Sequence, residues 1–142
     1  MMQFISRFFT TDHKRIDLLF EHYCKCLDSG DKTLASHFLA KFEEGLLRHI
    51  AWEEQLLFPR FEQVTGMFES GPTKVMEHEH RQIRSLLQEI GYQLNSGSDC
   101  KEANDALKIL LESHNQKEEG ILYPQCDRLL NEEQLAELLL GI

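Results

Sequence analysis

The chain has 142 residues, enough for one ordinary domain around a single core and too few for two. Its 15 Lys and Arg stand against 24 Asp and Glu, a net charge of −9, which argues against nucleic acid or an anionic membrane surface as a partner. No apolar run approaches the roughly 20 residues a bilayer requires, and the stretch Met1 to Phe9 is apolar but short, with Arg7 inside it, so the expected compartment is the cytoplasm.

Helical periodicity runs through four long stretches and strand alternation is nearly absent, so the expected class is all-α. Thr10 or Thr11 is suited to cap a first helix that continues to about Asp28, before Ser29, Gly30 and Asp31 break it. Phe9, His13, Ile16, Phe20, Tyr23 and Leu27 form its inward stripe. A second helix is expected from Lys32 to Val64, with Phe38, Phe42, Leu46, His49, Glu53 and Leu56 or Leu57 buried and Pro59 kinking its last turns. Pro72 suits the first turn of a third helix that runs to about Leu94 on a seam of Met76, His80, Ile83, Leu87, Ile90 and Leu94.

After the turn Asn95 to Asp99, a fourth helix from about Cys100 to Leu129 carries Leu107, Leu110 or Leu111, His114, Glu118 and Ile121 inward. Asn131 and Gln134 resemble a capping box for a short last helix that docks through Leu135, Leu138 and Leu139. Short links between long helices imply an antiparallel up-down-up-down four-helix bundle over about residues 10–129, with 130–142 appended, as a single domain of residues 1–142. Cys24, Cys26, Cys100 and Cys126 read as free thiols, since no secretion signal accompanies them. Cys24 and Cys26 project about 200° apart on a helix and are poorly placed to share one ion.

One segment occurs twice. His49-Ile-Ala-Trp-Glu-Glu-Gln-Leu-Leu-Phe-Pro59 returns in outline as His114-Asn-Gln-Lys-Glu-Glu-Gly-Ile-Leu-Tyr-Pro124, with Phe58 answered by Tyr123. In each copy a His and a Glu stand four apart and project from one helix face. His13 and His80 add one inward His from each remaining helix, so the candidate ligand set is His13, His49, Glu53, His80, His114 and Glu118. Burying that many polar groups, two of them carboxylates, is costly without a cation. Imidazole and carboxylate suit iron, zinc or manganese, and the lack of an inward Cys argues against a thiolate site. Six side chains are too many for one zinc. If both Glu bridge and the four His bind terminally, about eight of the twelve positions of two six-coordinate ions are filled, leaving room for an oxo or hydroxo bridge and exogenous ligands. Two iron ions are the natural reading.

His78 falls on the polar side of its helix, and Glu77, His78 and Glu79 read as solvated surface. A regular helix places the fifth residue after a His about 140° away, against about 40° for the fourth, and so selects Glu53 and Glu118 over Glu54 and Glu119. A π-bulge would alter that choice.

The order His13, His49 with Glu53, His80, and His114 with Glu118, together with the Leu-Phe-Pro and Leu-Tyr-Pro tails, resembles the hemerythrin-like, or HHE cation-binding, domain from Thr11 to Tyr123. Oxygen-carrying hemerythrins have a second His four residues before the third-helix His, where this chain has Met76, and an Asp five residues after the last-helix His, where it has Glu119. The missing imidazole makes reversible oxygen carriage or storage a secondary expectation. The six-ligand set looks more like hemerythrin-like di-iron proteins of iron-sulfur cluster repair, nitric oxide stress and iron or oxygen sensing. The repair proteins usually carry an additional N-terminal domain with a Cys pair, and the residues before His13 are too few to hold it.

Around the ligands, Ile16, Leu46, Met76, Ile83 and Leu110 offer an apolar lining with no evident general acid or nucleophile. The expected partner is thus a small diatomic or peroxide: dioxygen, nitric oxide or peroxide, to be bound, sensed or detoxified. Iron donation or iron-sulfur cluster repair is the alternative, and a peroxide- or nitric-oxide-consuming activity is compatible with either.

Overall fold

The start of the first helix departs from expectation, for a reason that lies at the other end of the chain. In the computed structural model, which describes residues 3–142, α1 spans Phe4–Asp28 and Gln3 before it makes no side-chain cap. The cap is Asp127, whose carboxylate accepts from the backbone N–H of Ile5 at 2.8 Å, from that of Ser6 at 3.1 Å and from the Ser6 hydroxyl at 2.6 Å. A carboxylate there satisfies orphan donors and complements the helix dipole. Thr10 and Thr11 therefore lie inside the helix rather than at its head. Met1 and Met2 of the apolar start lie outside the described residues.

Asp31 caps α2 (Lys32–Trp52) by accepting from the Leu34 N–H at 3.0 Å. The helix passes without a break through a wide turn, π1 (Glu53–Leu57), into α3 (Phe58–Thr65). After α4 (Pro72–Ser96), the same sequence of events recurs as α5 (Lys101–Lys117), π2 (Glu118–Leu122) and α6 (Tyr123–Leu129). In the wide turns the Phe58 N–H reaches back to the Glu53 carbonyl and the Tyr123 N–H to the Glu118 carbonyl. Pro59 and Pro124 follow directly; proline lacks an N–H and its ring crowds the carbonyl four residues back. The widened turns thus lie where each rod accommodates its proline. Gly66 and Gly97 end α3 and α4 at φ of +77° and +75°, a left-handed conformation that glycine adopts without Cβ strain.

The bundle is all-α, with no strand among the described residues, and α7 (Glu132–Leu140) is appended behind the expected Asn131–Gln134 capping box. Among the described residues no helix is long and apolar enough to cross a membrane. Two apolar cores form. One runs through Ile16, Phe20, Phe42, Leu46, Ile83, Leu87, Leu107 and Leu111; the other gathers Ile5, Phe9, Leu57, Phe58, Met76, Leu122, Tyr123, Leu135 and Leu138. Along α1, α2 and α4 the ligand-type residues fall between them.

The wide turn also resets the phase of the rod. Ile121, expected inward, is 55 % exposed and Leu122 is buried in its place. Leu39 is the buried neighbour of a half-buried Phe38, and Leu139 stays exposed while Leu135 and Leu138 dock α7.

Candidate metal centre

Each long rod contributes a His at the end of its α-helix and a Glu at the first position of its wide turn: His49 with Glu53, and His114 with Glu118. His13 comes from α1 and His80 from α4. None of the six residues is more than 3 % exposed. Their donor atoms fall into two groups, each within 4.8 Å: Glu53, His80, His114 and Glu118 in one, His13, His49 and Glu118 in the other. Glu118 Oε1 lies 3.1 Å from His13 Nε2 and 3.2 Å from His114 Nε2. The two Glu53 oxygens face His80 Nε2 at 3.1 Å and His49 Nε2 at 3.6 Å. Both carboxylates thus reach a His of each group, as a bridging ligand does.

Because the wide turns begin at Glu53 and Glu118 themselves, the spacing of four from each His is kept and the first Glu of each doublet faces the centre. The second Glu takes a different role. Glu119 meets His13 Nδ1 at 2.7 Å and Glu54 meets His80 Nδ1 at 2.7 Å. Asp12 and Glu79 do the same for His49 and His114, at 2.8 and 2.9 Å. Every candidate His therefore has a carboxylate on Nδ1 and its Nε2 toward the centre. In the neutral ring this fixes the proton on Nδ1 and leaves Nε2 as a lone-pair donor, the usual way a metal-binding His is oriented.

These four carboxylates were not among the expected site residues. Glu79, read as solvated surface, is only 7 % exposed and pairs with Lys117 as well as His114. Arg84 holds Glu54 from outside and Arg15 holds Asp12. A signal was present: an acid lies immediately before His13 and His80, and a second Glu follows each Glu of the repeat. Helical periodicity alone does not say that such residues turn toward a neighbouring helix.

The hydrogen bonding of the polar layer is incomplete. Glu53 Oε1, His80 Nε2 and Glu118 Oε2 are buried without a hydrogen-bond partner, although His80 Nε2 and Glu53 Oε1 are only 3.1 Å apart. Burial would lower the His49 pKa, but the Glu53 charge and the hydrogen bonds of Asp12 and Glu53 outweigh it and hold it at about 10. His80 is likewise carried against burial to about 9 by Glu53 and Glu54. Burial favours a neutral Glu53, yet the His49 charge and contacts with Glu118, His49 and His80 hold its carboxyl well below the usual range. A buried pocket in which imidazole and carboxylate donors converge has the chemistry to hold a metal ion, and these six residues supply such donors in two groups.

A seventh polar atom lies among them. The Tyr123 hydroxyl is 2.6 Å from Glu53 Oε2, 2.9 Å from Glu118 Oε1, 3.1 Å from His49 Nε2 and 3.3 Å from His13 Nε2. A π-helix turns less per residue than an α-helix, so Tyr123, five residues on, comes back toward the face of Glu118, where an α-helix would place it about 140° away. Its counterpart Phe58 stacks on His80, with centroids 5.8 Å apart and planes 8° from parallel. Of the expected apolar lining, Ile16, Leu46, Met76 and Ile83 are buried and Leu110 is half-buried; His78 is exposed.

Residues 5–126 match the family described as Hemerythrin HHE cation binding domain. The chain is similar to the iron-sulfur cluster repair protein YtfE of Escherichia coli O81 (strain ED1a), 33 % identical over 99 residues, which is 62 % of this chain and 44 % of that protein. YtfE of Escherichia fergusonii and of Escherichia coli strain SMS-3-5 are each 32 % identical over the same 99-residue length, with the same shares of both chains. The chain thus matches less than half the length of these curated relatives. No solved structure matches it.

Proposed function

The chain belongs to the hemerythrin HHE cation binding family, and from that premise and the geometry we propose a non-haem di-iron protein that binds dioxygen, nitric oxide or peroxide in order to sense or detoxify it. The supporting observation is the convergence of six buried His and Glu side chains on two overlapping donor groups with orphaned lone pairs. His13 and His49 would hold one ion, His80 and His114 the other, and Glu53 and Glu118 would bridge. Iron supplies open coordination positions and reversible electron transfer. The chain supplies orientation and seclusion: the outer carboxylates fix the imidazoles, and the apolar cores shield the centre from water.

Absorption spectra of the reduced protein, taken on exposure to air and then to nitric oxide, test this reading. A ligand-to-metal band that appears in air and a different spectrum with nitric oxide are expected, with two irons per chain. Protein purified without chelator that carries no iron and shows no such bands would refute it.

A second reading, iron donation or repair of iron-sulfur clusters, draws on the printed name of the relatives. Iron loss to an apo iron-sulfur acceptor supports it. Rapid steady-state consumption of peroxide with the iron retained favours detoxification.

A further inference from the structure

The two donor groups are unequal. One has four protein groups, Glu53, His80, His114 and Glu118; the other has three, His13, His49 and Glu118. The Tyr123 hydroxyl lies beside the group of three, touching all of its members. When the imidazoles are neutral and protonated on Nδ1, the atoms around this hydroxyl are four acceptors: two Nε2 lone pairs and two carboxylate oxygens. One O–H proton serves one of them. A cation bound at the same place serves the acceptors and the phenol oxygen together.

We infer that the Tyr123 phenol oxygen is a protein ligand of the metal position formed by His13, His49 and Glu118, a donor with no equivalent at the other position, which makes the two ions chemically distinct. The O–H bond breaks as the oxygen–metal bond forms, and the proton leaves to water, as ligand protons do on metal uptake. A phenolate oxygen is a hard anionic donor and suits ferric iron. The placement is built into the chain: π2 turns the ring inward, Phe9 packs against it at a centroid distance of 5.2 Å, and the ring is fully buried. In the other half of the repeat Phe58 has no oxygen to offer.

The inference rests on the iron reading above, and the test separates the two. Iron content and resonance Raman spectra are measured on the ferric protein, with and without ring-deuterated tyrosine. Iron-bound phenolate modes that shift with the label are expected, together with a visible phenolate-to-iron band. Both disappear in Tyr123→Phe with iron retained, and both persist in Tyr92→Phe and in Tyr23→Phe. Tyr92 is 75 % exposed and Tyr23 bonds to Asn104, so neither competes for the role. Tyr123→Phe copies Phe58 and keeps the ring volume; if it does not fold, label-sensitive modes in the double variant Tyr23→Phe, Tyr92→Phe decide alone. Iron-loaded protein without label-sensitive phenolate modes overturns the ligation and leaves the iron reading intact. Protein that takes up no iron overturns both.

Discussion

The two copies of the repeated segment fold alike and finish differently. In both, a His stands in the last turn of an α-helix, a Glu opens a wide turn, and a proline follows an aromatic ring. In the first copy the ring is Phe58, which lies flat on His80 and closes the site with carbon. In the second it is Tyr123, whose oxygen contacts both Glu and two of the four His. The same backbone device therefore serves two purposes, packing a buried imidazole in one half and adding a polar group in the other. A single oxygen atom breaks the symmetry of the centre.

The largest expected effect comes from removing a group that both halves share. Glu118→Ala should abolish binding of both ions and lower the melting temperature of the iron-loaded protein, because metal bound only by the native state adds its binding energy to folding. His49→Ala should lower both quantities too, with more metal retained; iron analysis and thermal melts check each variant. His78→Ala, on the exposed face of α4, should change neither, and an equal loss there would show that the wrong face had been assigned.

Next come the outer carboxylates. Asp12→Asn or Glu79→Gln should cost about 10- to 100-fold in metal affinity, measured by competition with a chelator. The Asp12 and Glu79 side chains are 11 % and 10 % exposed. Glu119, at 36 %, lies closer to solvent, so Glu119→Gln should cost less, and an equal effect would mean that water does not compete at His13.

A pH dependence separates the metal-free from the metal-bound protein. His49 and His80 are held at about 10 and about 9, above the ordinary 6.5. A folded value above the unfolded one stabilises the protein fully below about pH 6.5, and this contribution is lost as pH rises through 9 to 10. The melting temperature of metal-free protein should fall across that range. Metal affinity should rise from pH 7 toward 9 to 10, because a metal needs the nitrogen free of its proton. Parallel slopes of the two would contradict the assignment.

Much of this was legible in the sequence because helical periodicity puts His13, His80 and the two pairs spaced by four on seams that a bundle must bury. Three features were not. The start of α1 depends on Asp127, far along the chain, and no local pattern reveals a cap supplied by tertiary contact. The roles of Asp12, Glu54, Glu79 and Glu119 depend on which neighbouring helix each faces. Tyr123 was visible only as the counterpart of Phe58, since reading its direction requires the phase shift of the π turn, which a period of 3.6 residues misassigns. Ile121 and Leu122 exchange places for the same reason.

The most direct measurement of the central claim is metal stoichiometry with absorption on protein purified without chelator, before and after iron loading. Two irons per chain, with a ligand-to-metal band that Glu118→Ala removes, is the expected result. One iron or none per loaded chain, or a band indifferent to Glu118→Ala, would contradict a di-iron centre bridged at that residue.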